Sequence, residues 1–374
     1  MYLRILLTIC LAALAEPTTS FAGKEWPTFQ YAKNIQVDHF PTHRLFSIEN
    51  TYRHSKERYQ FALIPKKNRG TLPDLPEGTL VIYTPVDRVV AMTTTFIGFI
   101  DALDQQHRII GVTEPQYIND PKIHQSLEAG RIQKVQAGAT LDIERMLLLE
   151  PDLILATTVG AGSFQVQPRL ARAGLPVVLS AEYMEESPLA RAEWIKFIAA
   201  FFEADEKAEI VFHQIANRYQ KLQAKTKEIQ NRPTVFSGAP YAGAWYVPGG
   251  RSYIAQFIHD AGGDYLWKSD HTTGAIPLDF ERVFRKAATA DFWIDPSSYK
   301  NQQQLVKADQ RFRKFHAFKT NRIFNNTRQM HPQGGNNIWE RGIVHPEEVL
   351  ADLMQIFHPE LIPDHELIYY EPIK

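Results

Sequence analysis

Aromatic rings and glycines are concentrated between residues 241 and 253. Tyr241, Trp245 and Tyr246 come first, and a Pro-Gly-Gly-Arg-Ser-Tyr run that contains Arg251 follows. The group begins just after an apolar run, residues 234–237, that reads as a strand, and parallel α/β sheets bind ligands beyond the carboxyl ends of their strands. Aromatic faces beside a guanidinium suit a large, partly apolar and anionic ligand. These residue types therefore indicate a binding site.

Other candidate ligand contacts hold the equivalent place after strands in the earlier half of the chain. They are three threonines and a tyrosine: Thr94, Thr95, Thr158 and Tyr183. Late in the chain, Trp339 and Arg341 precede the last predicted helix, from where they could close the same binding site. Packing of Trp245 and Trp339 at the edges of a lobe is an alternative with equal weight.

Catalytic signatures are absent from the sequence. It contains no G-x-S-x-G nucleophile motif, no Walker loop and no H-E-x-x-H zinc motif, and Gly160-Ala161-Gly162 lacks the third glycine of a dinucleotide fingerprint. We therefore expect no enzyme activity, no catalytic residue and no cofactor. A two-lobed periplasmic enzyme of a chelatase-like or hydrolytic kind is the alternative that the sequence leaves open.

The chain has 13 histidines, which raises the question of metal binding. His39 and His43 have a spacing of four, but Pro41 between them prevents a regular helix. No second histidine or carboxylate stands at ligand spacing on a regular element, so surface or loop positions are favoured and no metal site is predicted. A receptor that binds zinc or manganese directly is a minor alternative.

Size and charge narrow the class of protein. A chain of 374 residues is long enough for about two domains. Lys plus Arg number 41 against 42 Asp plus Glu, which gives a net charge of −1 and no support for a nucleic-acid partner. The short basic run at residues 311–319 is predicted to be the solvated face of a helix.

Residues 1–22 have the pattern of a secretory signal peptide. One cation, Arg4, precedes an apolar run, and Ser20-Phe21-Ala22 fits a cleavage site. The only cysteine, Cys10, lies inside the apolar run, too early for lipid attachment and after Ile9 rather than a small residue. The mature chain is therefore expected to be periplasmic and to contain no thiol.

The rest of the chain is predicted to form two lobes. Residues 23–186 are the N-terminal lobe, in which residues 23–86 alternate apolar and polar positions and read as added antiparallel strands. Residues 233–374 are the C-terminal lobe. In both lobes apolar strands alternate with helices, which is typical of a parallel α/β sheet.

Residues 187–232 are predicted to be a helical linker between the lobes. Ser187 is suited to cap a first helix that begins at Pro188, runs to Phe202 and packs within the first lobe. The second, a backbone helix at about residues 205–229, would cross between the lobes. A repeated segment, LDIER at 141–145 and LDFER at 278–282, precedes a helix and a strand in each lobe and predicts approximate symmetry between them.

Taken together, these features resemble the periplasmic solute-binding proteins of ABC importers for iron-siderophores, haem and cobalamin. The resemblance covers about residues 80–350 and rests on the LDIER and LDFER segments, the GLPVV strand, the central helix and the segment GGRSYIAQFIHDAGG. It implies an α/β fold of two Rossmann-like lobes linked by a single long α-helix, here with extra antiparallel strands near the N-terminus. The ligand would lie between the lobes.

The resemblance also implies partners. One exposed glutamate on each lobe would dock onto arginines of an inner-membrane ABC permease dimer, and the repeated segment places these at Glu144 and Glu281. The alternative for both is an ordinary glutamate in the first turn of a helix, where the helix dipole stabilises it. We expect a monomer that binds a small-molecule metal chelate, with an iron-siderophore first and cobalamin or haem next.

Overall fold

The computed structural model of the chain describes residues 28–50, 58–70, 73–137, 140–157 and 166–374. The predicted signal peptide and one candidate ligand contact, Thr158, lie outside the described residues. In the ranges given, no helix combines the length and apolar composition needed to cross a bilayer.

A four-stranded sheet, here called the extension sheet, comes first. Its strands lie in chain order and are β1 (Ile35–His39), β2 (Arg44–Ile48), β3 (Tyr59–Pro65) and β4 (Leu80–Thr84). The first three pair antiparallel, as predicted. The fourth is an exception: β4 runs parallel to β3, with Leu80 opposite Phe61, because the chain between them returns to the end of the sheet where β3 begins.

The first lobe is a parallel α/β unit. Its elements are β5 (Val89–Ala91), α1 (Thr94–Ala102), β6 (Ile109–Val112), α2 (Pro121–Glu128), β7 (Gln133–Lys134), β8 (Gln136–Ala137), β9 (Thr140–Leu141), α3 (Ile143–Leu148), β10 (Leu153–Thr157), α4 (Val166–Arg172) and β11 (Val177–Ser180). Five strands form one parallel sheet in the order β11-β10-β5-β6-β7. The strands β5, β10 and β11 are buried runs made mostly of Val, Ile, Leu and Ala, as expected when helices cover both faces.

Two consecutive helices follow the first lobe, α5 (Pro188–Phe202) and α6 (Asp205–Thr226). Both begin where the sequence predicted. The Ser187 hydroxyl accepts a hydrogen bond from Ala190 N at 3.2 Å and so caps α5. With 22 residues at about 1.5 Å each, α6 is about 33 Å long.

The second lobe repeats the α/β pattern with an added antiparallel sheet. Its elements are β12 (Thr234–Ser237), β13 (Pro240–Tyr241), β14 (Ala244–Pro248), α7 (Tyr253–Asp260), β15 (Asp264–Tyr265), β16 (Ala275–Leu278), α8 (Phe280–Ala287), β17 (Phe292–Ile294), α9 (Gln302–Ala308), α10 (His316–Lys319), β18 (Ile323–Asn325), α11 (Arg341–Val344), α12 (Pro346–Phe357) and β19 (Glu371–Pro372). The main sheet has the order β15-β12-β17-β18-β19, parallel except for β19. The aromatic and glycine-rich stretch contributes β13 and β14, which pair with each other, and β14 also pairs with β16.

The basic run at residues 311–319 is only partly a solvated face. Its cations Arg311, Arg313 and Lys314 are exposed, but Phe312 and Phe315 are buried against the aromatic core of the second lobe. Periodicity alone could not show this, because the run is divided between a short 3-10 helix and α10.

The helix α5 lies at the centre of the molecule. All 15 of its residues are buried, and it contacts α1 of the first lobe, α7 of the second lobe, α11 and α12. The sequence placed it within the first lobe alone, but a helix that is buried on every side needs partners on every side. The neighbouring α6 is tied to the second lobe by Tyr219, whose hydroxyl donates to Asp260 at 2.7 Å.

Two buried glutamates hold the start of the extension against this centre. Glu193 on α5 accepts hydrogen bonds from the backbone N–H groups of residues 30–32 at 2.6–2.8 Å. Glu185, just before α5, accepts from the N–H groups of Lys33 and Asn34 at 3.0–3.1 Å. The extension is therefore fixed to the core by polar contacts as well as by its apolar face.

Candidate functional site

Residues that follow strands of the first lobe meet the second lobe at two places. Glu186, which follows β11, forms a 2.6 Å ion pair with Arg251 at the start of α7. Thr95, which follows β5, donates a hydrogen bond from Oγ1 to the carbonyl oxygen of Trp339 at 3.0 Å. Both contacts lie at the carboxyl ends of parallel strands, where α/β lobes bind ligands. They define a cleft between the lobes.

Two cavities open along this cleft. The smaller, of about 180 Å³, lies at the start of α1 and is lined by Thr93, Thr94, Glu114 and Tyr117. The larger, of about 530 Å³, lies between Met184 to Glu186 of the first lobe and His271 to Thr273 of the second. A volume of this size is within the usual range for sites that hold small molecules, about 300–1,000 Å³.

The structure brings three predicted contacts together at the first place. Thr94 lines the smaller cavity, Thr95 contacts the backbone carbonyl of Trp339, and the Trp339 side chain is half-exposed but lines neither cavity. Arg341 is two residues further on, but it pairs with Glu348 and lines a separate cavity of about 280 Å³, together with Gly98 and Asp101 of α1. Its guanidinium is therefore engaged within its own lobe.

The other predicted contacts are divided between the cleft and the core. Tyr183 lies in the 3-10 helix Glu182–Met184 beside the larger cavity, and Arg251 is at the ion pair described above. Tyr241 and Tyr246 are exposed on β13 and β14 and line neither cleft cavity.

Trp245 packs in the core of the second lobe, which was the alternative to a ligand contact. Its side chain is 1% exposed, and its ring contacts Phe236, Trp293 and Phe315 in the core of the second lobe. The Nε1 donor is satisfied by the carbonyl oxygen of Ser237 at 3.2 Å. We therefore do not include Trp245 among the ligand contacts.

Sequence reasoning missed a cluster of buried polar groups that joins the two lobes. The Arg191 guanidinium lies 4.0 Å from Glu182 and 4.3 Å from the centroid of the Tyr253 ring. Asp295, directly after β17, accepts hydrogen bonds from Asn326 at 2.9 Å and from Tyr370 at 3.3 Å. Burial raises the pKa of Asp295 to about 7. A carboxylate placed immediately after a buried strand is the signal that could have identified this cluster.

The segment around Trp339 is held tightly against the first lobe. Glu340, which is 4% exposed, accepts hydrogen bonds from the backbone N–H groups of Asn119 and Asp120 at 2.8 and 2.9 Å. A Cβ atom on Gly98 would lie 2.1 Å from the carbonyl oxygen of Glu340, so only glycine permits this approach. We call the contact of Gly98, Asn119 and Asp120 with Glu340 the interlobe contact.

The interlobe contact should make stability depend on pH. Burial is the largest influence on Glu340, and together with the nearby Asp120 charge it raises the pKa of this carboxyl to about 7 from an ordinary 4.5, although the two N–H bonds oppose the rise. Between about pH 4.5 and about pH 7, Glu340 is more protonated in the folded protein than in the unfolded chain. Its contribution to the free energy of unfolding therefore falls as pH rises. Glu340→Gln should remove this part of the dependence of stability on pH.

Thermal unfolding from about pH 5 to about pH 8 measures the difference. The melting temperature of wild type should fall more from the low to the high end of this range than that of Glu340→Gln. Glu366→Gln, which changes an exposed glutamate, should behave as wild type. Parallel curves for wild type and Glu340→Gln would contradict the assignment.

The two glutamates of the repeated segment occupy matching places. Asp142 caps α3 by accepting from Arg145 N at 2.9 Å, and Asp279 caps α8 by accepting from Arg282 N at 2.7 Å. Glu144 and Glu281 therefore each lie in the first turn of a helix and are exposed.

The surroundings of these two glutamates differ. Glu281 forms a 3.0 Å ion pair with Arg311, whereas no ion pair joins Glu144 to any other described residue. On the same face of α3, Leu147 and Leu148 are exposed, Leu148 by 85%. The surface around Glu144 is thus more apolar than the surface around Glu281.

Among the described residues, one group of potential metal ligands lies close together. It consists of His345, Glu347 and Glu348 at the start of α12, with ligand atoms within 4.8 Å of one another. Arg341 already pairs with Glu348, and Arg218 lies 3.9 Å from Glu347, so the acidic charge is opposed by two guanidiniums. We assign no metal site to this group.

Comparison with known proteins gives concordant results. Residues 89–329 match the family described as periplasmic binding protein. An uncharacterized lipoprotein of Methanocaldococcus jannaschii is 27% identical over 354 residues, which cover 88% of this chain and 82% of the relative.

Similar solved structures share the two-lobed fold. A possible iron-binding, periplasmic solute-binding protein of Staphylococcus epidermidis has a TM-score of 0.57 at 18% identity, over 73% of this chain and 99% of that one. A periplasmic heme-binding protein of Pseudomonas aeruginosa also has a TM-score of 0.57 at 18% identity, over 77% of this chain and 98% of that one. At such identities the likeness concerns the fold alone.

Proposed function

We propose, from the premise that this chain belongs to the periplasmic binding protein family, that it captures a large metal chelate and delivers it to an inner-membrane ABC permease. The chelate is an iron-siderophore in the first place, with haem or cobalamin next. The protein acts in the periplasm as a monomer, after removal of residues 1–22, and it binds its ligand without chemical change.

The observation that supports this proposal most directly is the position of the cavities. They open at the carboxyl ends of parallel strands and, in the larger one, between residues of both lobes. Iron-binding and heme-binding neighbours of the same fold favour a metal chelate over a sugar or an amino acid. Thr94, Thr95, Tyr183, Arg251 and Trp339 are the side chains that we propose to contact the ligand.

A fluorescence titration tests the proposal. Trp339 is half-exposed at the cleft, so a bound chelate should quench its emission, with sub-micromolar affinity for one member of a panel of ferric siderophores, haemin and cobalamin. Trp339→Phe should reduce the quenching, and calorimetry should still detect the ligand. Absence of binding to every member of the panel, together with no chelate in mass spectra of protein purified from native periplasm, would refute the proposal.

Docking on the permease is proposed for Glu144 and Glu281. Two equivalent carboxylates on separate lobes suit a partner with twofold pseudo-symmetry, and charged contacts of this kind fix orientation. The exposed Leu147 and Leu148 add apolar area beside Glu144, whereas Glu281 must exchange Arg311 for a permease arginine. We therefore propose that the first lobe contributes more to docking than the second.

A further inference from the structure

We propose that the N-terminal extension forms a third wall of the ligand site and that Lys33, with His271 opposite, binds an acidic group of the ligand. This inference rests on the function proposed above. It assigns a binding role to a part of the chain for which the sequence suggested none.

The larger cavity is built from three parts of the chain. Met184, Glu185 and Glu186 come from the first lobe, and His271, Thr272 and Thr273 from the second. The third side consists of Lys33, Asn34 and Asn50, all from the extension. A ligand in this cavity would therefore touch the extension as well as both lobes.

The extension wall is fixed in position. Glu185 holds the backbone N–H groups of Lys33 and Asn34, and Glu193 holds the three preceding residues. Asn50 Nδ2 donates to Asn34 Oδ1 at 2.8 Å, which joins the two ends of the β1–β2 hairpin at the rim. A binding surface with its backbone fixed loses little entropy when a ligand arrives.

The acidic groups around the cavity have partners within the protein, whereas Lys33 has no ion-pair partner among the described residues. Glu185 is buried, and its carboxylate already accepts from two backbone N–H groups and from Trp194 Nε1 at 3.1 Å. Glu186 is paired with Arg251. The ammonium group of Lys33, by contrast, is exposed, and no ion pair joins it to another described residue.

The second lobe provides a ring nitrogen donor across the cavity, on His271. His271 is exposed there, and its neighbour Asp270 directs a carboxylate oxygen to the N–H and hydroxyl of Thr272. Lys33 and His271 thus remain available on opposite walls. The ammonium charge of Lys33 and the ring nitrogen donor of His271 suit a carboxylate, such as a propionate or a siderophore carboxyl, and Thr272 and Thr273 provide neutral polar groups.

The test compares anionic and uncharged probes on matched variants. The anionic probes are haemin and ferric dicitrate; the uncharged probe is the dimethyl ester of haemin, and ferrioxamine B adds a cationic siderophore. Lys33→Ala should weaken the anionic probe that wild type binds by about tenfold, the effect of one charge-assisted hydrogen bond, and Lys33→Glu should weaken it further. Lys67→Ala, at an exposed lysine elsewhere in the extension, is the control.

His271→Ala should weaken the same anionic probe in part, while the dimethyl ester binds every variant equally. Unchanged affinity of Lys33→Ala and Lys33→Glu for an anionic probe that wild type binds would overturn the inference and leave the proposed function standing. Binding by wild type of ferrioxamine B or the ester alone would have the same consequence. Absence of binding to any metal chelate would overturn both.

Discussion

Replacing Glu144 and Glu281 together by arginine should reduce chelate uptake by at least tenfold and leave ligand affinity unchanged. Both side chains are exposed in the first turns of α3 and α8, away from the cleft cavities. Charge reversal would place arginine against the arginines expected on the permease, and like charges across an interface weaken association and suppress wrong pairings. Uptake of labelled chelate by cells that carry only the variant gives the measurement.

The two single variants should differ in how strongly they reduce uptake. Glu144→Arg should reduce uptake more than Glu281→Arg. Glu281 already forms an ion pair with Arg311, whereas the exposed Leu147 and Leu148 add apolar docking area beside Glu144. A matched control is Glu128→Arg with Glu366→Arg, which changes the total charge equally at two other exposed glutamates. Normal uptake by the Glu144 and Glu281 double variant would reject the docking assignment.

Glu193→Ala should destabilise the protein by several kcal/mol and release the start of the extension. The Glu193 side chain is fully buried, and its removal leaves three backbone N–H groups at residues 30–32 without their acceptor, at about 1–3 kcal/mol for each group that water cannot reach. It also leaves Lys196, 3.2 Å away, with one carboxylate partner instead of two.

Thermal unfolding and hydrogen exchange distinguish the two parts of this effect. The melting temperature should fall, and amides at residues 30–34 should exchange much faster than those of the β10 strand. Glu193→Gln, which retains one acceptor oxygen, should be milder, and Glu206→Ala, an exposed position on α6, should behave as wild type. Wild-type melting and exchange in Glu193→Ala would show that the Glu193 hydrogen bonds are not needed to hold the extension.

Local chemistry explains which parts of the fold the sequence could predict. The strands at Val89, Leu153 and Val177 are short apolar runs in a repeating strand and helix pattern, and Ser187-Pro188 is a clear helix start. These signals depend on a few adjacent residues. They also predicted the starts of α3 and α8, because the segments LDIER and LDFER suit a first helical turn that contains Glu144 or Glu281.

The remaining features depend on contacts between distant residues. Trp245 alternates with Tyr246 on β14, so one ring faces the core and the other faces solvent, and the orientation is decided by pairing with β16. The three walls of the larger cavity come from three distant parts of the chain, at residues 33–50, 184–186 and 271–273. No local pattern predicts such a meeting, which is why the extension had no assigned role.

The interlobe contact has a bearing on how long a ligand would stay bound. The lobes are connected first through the helices α5 and α6, second through the Arg251 and Glu186 pair, and third through the interlobe contact at Glu340 and the neighbouring hydrogen bond from Thr95 to Trp339. Wide opening requires that the second and third connections break first. Under the function proposed above, spontaneous dissociation of a chelate from between the lobes would be slow, and release at the permease would require that these two connections are broken.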